Sequence, residues 1–563
     1  MDCVKKSFSI VIMLLLCIMM VFPSDYVCAA SDGIPFGLVL SWTEDPATSI
    51  TAVWRDDEEK AEYLQVVSEL DYNTSGFETA VTAEAACWDI SLDLTGVWHY
   101  EATVTGLTPD TVYCYRVGGG DAWSEVRTFR TDDPRSEAVT FAYMGDVQTA
   151  GVMEEDYALW GELCAALYER NPELSFAVLG GDLVNSGISP KMFDCFFQNA
   201  SPVFSQVPLY STVGNHESNI PGGKPELFRD YFAFPTNGPE GFAEEFFSLD
   251  VGNVHLLVLN DWIFSGEQNL SEADFARVAD WIRFDLAAST ADWQVVVLHV
   301  PVYEVHSDTR ATAVREAWGG IFEEYGVDLV FEGHQHVYSR RYPMYQERID
   351  YEKGVTYIMG VAGSKFYDSS DETLAERVVY NTATYELVRT DGDTMTVQAV
   401  DLMGNELDYA VIPQRSVRVT RGEYVETLWK AAGSPAPQST SPFTDTDSEA
   451  VTWAYELGLV QGCGGGRFIP EMQITEEQIG IILDRAKAVQ NGPVARLTFI
   501  ERLWAEAGSP APQGASPFTD TDNPAVTWAY EAGYVQGYGG GLFGPDDLML
   551  GWQIQLLAER MGK

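Results

Sequence analysis

The stretch YMGDVQ, residues 143–148, ends an apolar run that begins at Thr140, and its reading decides the fold of the middle of the chain. An apolar segment that stops at a glycine and a carboxylate is a buried strand delivering a polar side chain at its end, where open α/β sheets hold their ligands. Four more strings share that setting in order: LGGDLVNSG at 179–187, VGNHE at 213–217, LHVP at 298–301 and GHQH at 333–336. Runs at 140–144, 176–179, 209–213, 254–259, 293–298 and 328–331 are read as buried strands, with helical periodicity over 154–169 and 271–286. This alternation predicts an α/β region over 136–413.

Together the strings supply the carboxylates of Asp146 and Asp182, the amide of Asn215 and the imidazoles of His299, His334 and His336. Oxygen and nitrogen donors without a thiolate suit first-row divalent or trivalent cations. A glycine precedes Asp146, Asp182, Asn215 and His334 and is expected to let the backbone turn sharply there. In an extended GHQH segment His334 and His336 share a face, so each can turn to one ion. Singly, each string has a plainer explanation, a turn after a strand or a packed histidine. Five in order on successive strand ends favour one joint site.

The flanks differ in pattern. Over 31–135, short alternating runs such as 49–54 and 111–117 between turn-rich pieces predict a small antiparallel sandwich. The stretch TGLTPDTVYCYRVG, 105–118, resembles a fibronectin type III strand pair, its leucine and tyrosine serving as packing residues. His99, a lone histidine there, is read as structural. Over 417–563, GSPAPQ at 433 and 508 and FTDTD at 443 and 518 set one repeat of 75 residues, which also aligns AVTWAYELGLVQG with AVTWAYEAGYVQG. These strings resemble S-layer homology modules, mainly α in structure, which attach exported proteins to cell-wall polymers. The family's Thr-Arg-Ala-Glu-like string is approached by TRGE at 420–423, whereas ITEEQ at 474–478 lacks the basic residue. Wall anchoring and a packing or protein-contact role are the two readings.

A chain of 563 residues calls for about three domains, and 46% hydrophobic residues allow each a core. Its net charge of -50 leaves no basic footprint for nucleic acid. Residues 1–30 read as a secretory signal, with Lys5 and Lys6, an apolar run over 8–22 and a Cys28-Ala29-Ala30 cleavage site. Export follows, and no later segment offers a membrane span. The remaining cysteines, Cys87, Cys114, Cys164, Cys195 and Cys463, form no CxxC pattern; one bridge such as Cys87 to Cys114 stays open.

The five strings resemble the calcineurin-like metallophosphoesterases. With YFAFP at 231–235 and GNVHLLVLN at 252–260, the match points to the purple acid phosphatase branch over about 35–400. The resemblance implies two mixed sheets packed face to face with helices outside and two metal ions, iron, zinc or manganese, at the strand ends. It implies that Asp146 and His336 hold the first ion, Asn215, His299 and His334 the second, and that Asp182 bridges both. A metal-bound hydroxide would attack phosphorus in line. His216 would bind the phosphoryl oxygen or protonate the leaving alcohol, with His306 a second candidate for that role.

Two positions depart from the branch: Asn185 stands where it has a tyrosine, and Gln148 where it has a glycine and the wider family often a ligating histidine. Gln148 is a further candidate ligand through its amide oxygen. His255 is read as buried or behind the ligands, and Trp262 and Tyr303 as pocket walls or packing. The expected activity is an exported phosphomonoesterase of acid phosphatase type acting on small phosphate esters. A phosphodiesterase or nucleotidase on the same scaffold is the enzymatic alternative, decided by loops 218–225 and 304–310. An inactive wall-bound adhesin or scaffold is the alternative of another class.

Overall fold

The computed structural model describes residues 33–90, 97–149, 151, 153–218, 222–415, 419–489, 496–537, 541–545 and 547. The expected signal at 1–30 lies outside them. Contacts divide the chain into two units: one takes residues up to 275, 292–316 and 328–414, the other 276–291, 317–327 and 415 onward.

The first unit opens with two antiparallel sheets, as expected. One runs in the order Phe36–Ser41, Ser49–Asp56, Trp98–Thr105, Ala86–Asp89. The other runs Val81–Glu84, Tyr63–Ser68, Val112–Gly119, Ala122–Trp123, with Arg127–Arg130 also paired to Val112–Gly119. Leu40, Ile50, Ala52, Trp54, Val66, Tyr100 and Val117 belong to one buried cluster. Strands Trp98–Thr105 and Val112–Gly119 lie in different sheets, so the 105–118 stretch is a crossing between sheets and not a paired hairpin. Leu107 and Tyr113 are buried there, and the Tyr113 hydroxyl also accepts the Thr108 N–H at 2.8 Å, locking the corner. His99 is fully buried 4.6 Å from Trp88, its ring held neutral by burial and by the Arg55 charge. It is structural, as expected. Cys87 and Cys114 are free thiols, as are the three other described cysteines.

Two mixed sheets follow. The six expected strands divide three and three between them. Thr140–Met144, Phe176–Leu179 and Leu209–Ser211 run parallel in the first, which continues antiparallel through Thr384–Asp391, Thr394–Asp401 and Glu406–Ile412. The second has the order Phe247–Val251, Val254–Val258, Trp293–Val297, Leu329–Glu332, Thr356–Met359, Tyr338–Arg341, Ala375–Val379. Every residue of strands Phe176–Leu179, Val254–Val258 and Trp293–Val297 is buried, which explains why they are apolar but for His255 and Gln294. Helix Ala158–Arg170, entered through the 3-10 turn Glu154–Tyr157, stacks Trp160 on Phe196 of helix Pro190–Phe204 with ring centres 5.4 Å apart.

In the second unit the 75-residue repeat is repeated in detail. Helices Arg421–Ala431 and Glu449–Glu456 correspond to Arg496–Glu506 and Pro524–Glu531. Asp445 accepts the backbone N–H groups of Phe468 and Ile469, and Asp520 those of Phe543 and Gly544. Arg421 lies over the Phe468 ring at 4.5 Å, and Arg496 over Phe543 at 4.4 Å. Each half closes its own apolar cluster.

Candidate metal centre

Each of the five strings leaves its strand and enters one site. Met144 leads to Asp146, Leu179 to Asp182, Ser211 to Asn215, Val297 to His299, and Glu332 to His334 and His336. Asp146, Asp182, His334 and His336 all have left-handed backbones, with φ of 43°, 53°, 71° and 47°. Such conformations cost a non-glycine residue about 1–2 kcal/mol each and persist where the surroundings enforce them. The expected role of the glycines is therefore only partly met. Gly181 does turn, at φ 80°, but Gly214 and Gly333 are needed for close approach. A Cβ on Gly214 would fall 2.2 Å from the Asp182 nitrogen, and one on Gly333 2.7 Å from Asp146 Oδ2.

The donors form two groups that share Asp182. Asp146, Asp182 and His336 make one, and Asp182, His299 and His334 the other, with donor atoms inside each group within 4.8 Å of one another. The Asn215 amide oxygen joins the second group, 3.1 Å from His299 Nε2 and 2.8 Å from His334 Nδ1. Gln148 reaches the first through its amide nitrogen, which donates to Asp182 Oδ2 at 2.8 Å and lies 3.1 Å from His336 Nε2, so the amide oxygen expected to ligate is not the atom that meets these donors.

Each imidazole is oriented by the nitrogen that faces away. His299 Nδ1 donates to the Gly180 carbonyl at 2.7 Å, and His336 Nδ1 to the Lys365 carbonyl at 3.0 Å. His334 is turned the other way round: Nε2 donates to Asp308 at 3.0 Å, leaving Nδ1 for the site. Fixing the outer N–H in this way presents a lone pair inward. Burial pushes His299 down to about 4 and His336 to about 3, although Asp182 favours the charged form of each.

The donor set fits cations. Neither buried carboxylate oxygen of Asp146 receives a well-formed hydrogen bond, nor does the Gln148 amide oxygen. Burial first, and then the Asp182 charge, hold Asp146 well above the usual carboxylate range, although the His334 N–H and Lys365 lie near enough to oppose them. Burial also acts against ionisation of Asp182, but His299, His216 and the His216 backbone N–H outweigh it and hold that carboxyl low. Buried acceptors with too few donors are the environment a positive ion relieves.

Several carboxylates that the sequence reading passed over hold the ligand loops. Glu217 is fully buried and accepts the backbone N–H of Asp182, Leu183, Val184 and Gly214 at 2.8–3.2 Å. Burial, then Asp182, raises it to about 8. Asp261 takes the N–H of His299 and Val300, and Glu332 that of Val302. Asp308 takes His334 together with two N–H groups of the Arg310 guanidinium, which lies over Trp262. Burial opposes ionisation of Asp308, yet His334 and Arg310 keep it far below the carboxylate range. Glu217 sits inside VGNHE and was open to recognition as a loop-holding acid; the others carry no comparable local signal.

A cavity of about 650 Å³ lies over the site. His216 and His306 both line it. His216 Nδ1 donates to the Asn185 carbonyl at 2.8 Å, and its Nε2 is 3.9 Å from Asp182 Oδ2. Position 185 thus orients His216 through its backbone. Of the loops expected to shape the cavity, 306–308 do so; the described residues of 218–225 do not line it. Residues 365–368, which the sequence reading did not single out, complete the wall. Trp262 and Tyr303 do not line it: both are buried, beneath Arg310 and Arg315 respectively. His255 is buried and pairs with Asp250 at 2.6 Å, not with a ligand.

Residues 139–338 match the family described as calcineurin-like phosphoesterase. The chain carries a calcineurin-like phosphoesterase domain. The preceding residues 35–131 match the purple acid phosphatase N-terminal domain, and 442–479 and 517–550 match S-layer homology domains. Purple acid phosphatase 15 of Arabidopsis thaliana is 26% identical over 303 residues, 48% of this chain and 54% of its own length. An uncharacterised Mycobacterium tuberculosis protein is 27% identical over 299 residues, 48% and 56% of the two chains. The chain thus spans about half the length of the curated relatives it matches. A purple acid phosphatase from yellow lupin (Lupinus luteus) seeds has a similar fold. Its TM-score is 0.55 at 17% identity, over 68% of this chain and 75% of that one.

Proposed function

We propose that this chain is an exported phosphomonoesterase of acid phosphatase type, held at the cell surface by its C-terminal repeats. The observation that carries the catalytic reading is the pair of donor groups sharing Asp182, one of them with a buried Asp146 carboxylate that receives no well-formed hydrogen bond. In this reading Asp146 and His336 hold the first metal ion, with Gln148 beside them, Asn215, His299 and His334 the second, and Asp182 both. Such a pair supplies Lewis acidity toward the phosphoryl group and acidifies water.

The residues around the ions do the rest. Water attacks phosphorus in line, the bond from phosphorus to the alcohol oxygen breaks, and His216 gives that oxygen its proton. The Asn185 carbonyl bonded to His216 Nδ1 fixes the ring for this transfer. His306, with Nδ1 3.1 Å from the Ser370 hydroxyl, is placed on the cavity wall to meet a phosphoryl oxygen. Asn185 supplies no phenolate, so the first ion has only the Asp146 and Asp182 carboxylates as charged donors. That set favours a divalent ion over ferric iron.

The S-layer homology match supports attachment to a cell-wall polymer, and the apolar run at 8–22 supports export. The test is to purify the chain, measure bound metal and assay phosphate release from monoesters and diesters with and without chelator. Metal-dependent release, faster from monoesters, is expected. Absence of metal and of turnover would refute the reading, and preference for diesters would move it to the phosphodiesterase alternative.

A further inference from the structure

One part of the cavity wall is aromatic, and nothing in the metal chemistry requires that. Phe366 and Tyr367 line the cavity, and Tyr367 leaves 41% of its surface exposed. Its ring lies 4.8 Å from that of His336 and edge-on to His306 at 6.5 Å, so an exposed aromatic face stands directly beside the candidate metal ligands.

The segment that carries these rings is held in place. The Tyr367 N–H donates to the His336 carbonyl at 3.1 Å. Ser370 and Asp371 donate their N–H groups to the Val305 carbonyl at 3.1 and 3.0 Å, the Ser370 hydroxyl donates to it as well, and His306 Nδ1 meets the same hydroxyl. The 365–371 and 305–308 segments are therefore tied into one rim, and little ordering is left for a ligand to impose. Its acidic residues are Asp308 and Asp368, against Lys365, in a chain of net charge -50. With Asp308 paired to Arg310, Lys365 is the one lysine or arginine among the lining residues, which gives little hold on an alcohol that carries further phosphates and suits a flat, uncharged one.

We propose that Phe366 and Tyr367 form the leaving-group subsite, and that it selects monoesters of flat aromatic alcohols, aryl or nucleoside, over those of small aliphatic alcohols. The proposal rests on the phosphomonoesterase reading above. Stacking of a planar group on an exposed aromatic side chain changes binding by roughly tenfold when that side chain is truncated.

The experiment measures kcat/KM for an aryl phosphate, a nucleoside 5′-monophosphate and glycerol 2-phosphate with the metal-loaded full chain and with Tyr367→Ala, Phe366→Ala and Tyr367→Phe. The ratio of aryl or nucleoside to glycerol ester should fall about tenfold in Tyr367→Ala, less in Phe366→Ala, and hold in Tyr367→Phe. Metal content and melting temperature are measured in every variant, so that loss of the site is seen as such. Equal loss on all three esters, or no change in the ratio, overturns the subsite and leaves the phosphatase reading intact. Absence of turnover of any ester by the metal-loaded parent overturns both.

Discussion

Asp308 tests whether the ligands are set by what lies behind them. Its carboxylate accepts His334 Nε2 at 3.0 Å and two guanidinium N–H groups of Arg310 at 3.0 and 2.8 Å. It also caps helix Thr309–Val314 by accepting the Arg310 backbone N–H. Asp308→Asn keeps the cap, since asparagine serves there as well as aspartate, so folding should change by less than about 1 kcal/mol. What changes is the charge that faces His334 and Arg310, and the Arg310 pair, about a third exposed on its cation, is worth no more than about 1 kcal/mol. A neutral amide oxygen accepts more weakly, and an amide turned to present N–H to Nε2 would move the imidazole proton to Nδ1, the nitrogen that faces the site. Removing such a partner typically lowers metal affinity 10–100-fold, or about 1.4–2.7 kcal/mol. The assay is titration of the metal-stripped full chain with Zn2+ or Mn2+ against a chromophoric chelator, resolving two binding steps. Only the step belonging to Asn215, His299 and His334 should weaken, with the melting temperature of the metal-free chain unchanged within about 2 °C. Equal weakening of both steps, or of neither, would refute the reasoning.

Three further outcomes follow from the same geometry. Asp182→Ala should empty both metal positions and abolish turnover, whereas His216→Ala should keep full metal content and slow turnover about 10²- to 10⁴-fold, read by metal analysis beside phosphate release; equal metal loss in both variants counts against the assignment. Glu217→Ala strands four buried backbone N–H groups and should cost at least about 3 kcal/mol in denaturant unfolding, with Glu217→Gln falling between it and the parent. Burial raises Glu386 to about 8 from the usual 4.5, so the folded chain keeps a proton that the unfolded chain has released. Its contribution to stability is full below about pH 4.5 and is lost as pH rises toward 8; Glu386→Gln should flatten that part of the pH–stability curve, and a curve of unchanged slope would show that the proton sits elsewhere.

Much of the central fold was legible because its signals are local. A buried parallel strand needs apolar side chains on both faces, so 140–144, 176–179, 254–259 and 293–298 stand out as mainly apolar runs, and their ends are misjudged by no more than a residue. The strands after His336 were not legible in that way. Tyr338–Arg341 and Ala375–Val379 are short or partly exposed, and Thr394–Asp401 buries only alternate residues. The turn signal at Asp391-Gly392, with Gly392 at φ 55°, was present between two of them.

By itself the sequence determined which residue types are offered at the strand ends, their order, and the 75-residue repeat, since each depends on neighbours along the chain. Only the tertiary structure decided how the donors divide into two groups around Asp182, because that depends on strands from two sheets, with 190 residues separating Asp146 from His336. It decided too that Asp308 and not a carbonyl backs His334, and that residues 365–368 close the cavity. Hydrogen bonds between segments far apart in sequence leave no periodic trace, so nothing in the chain's pattern announces them before it folds.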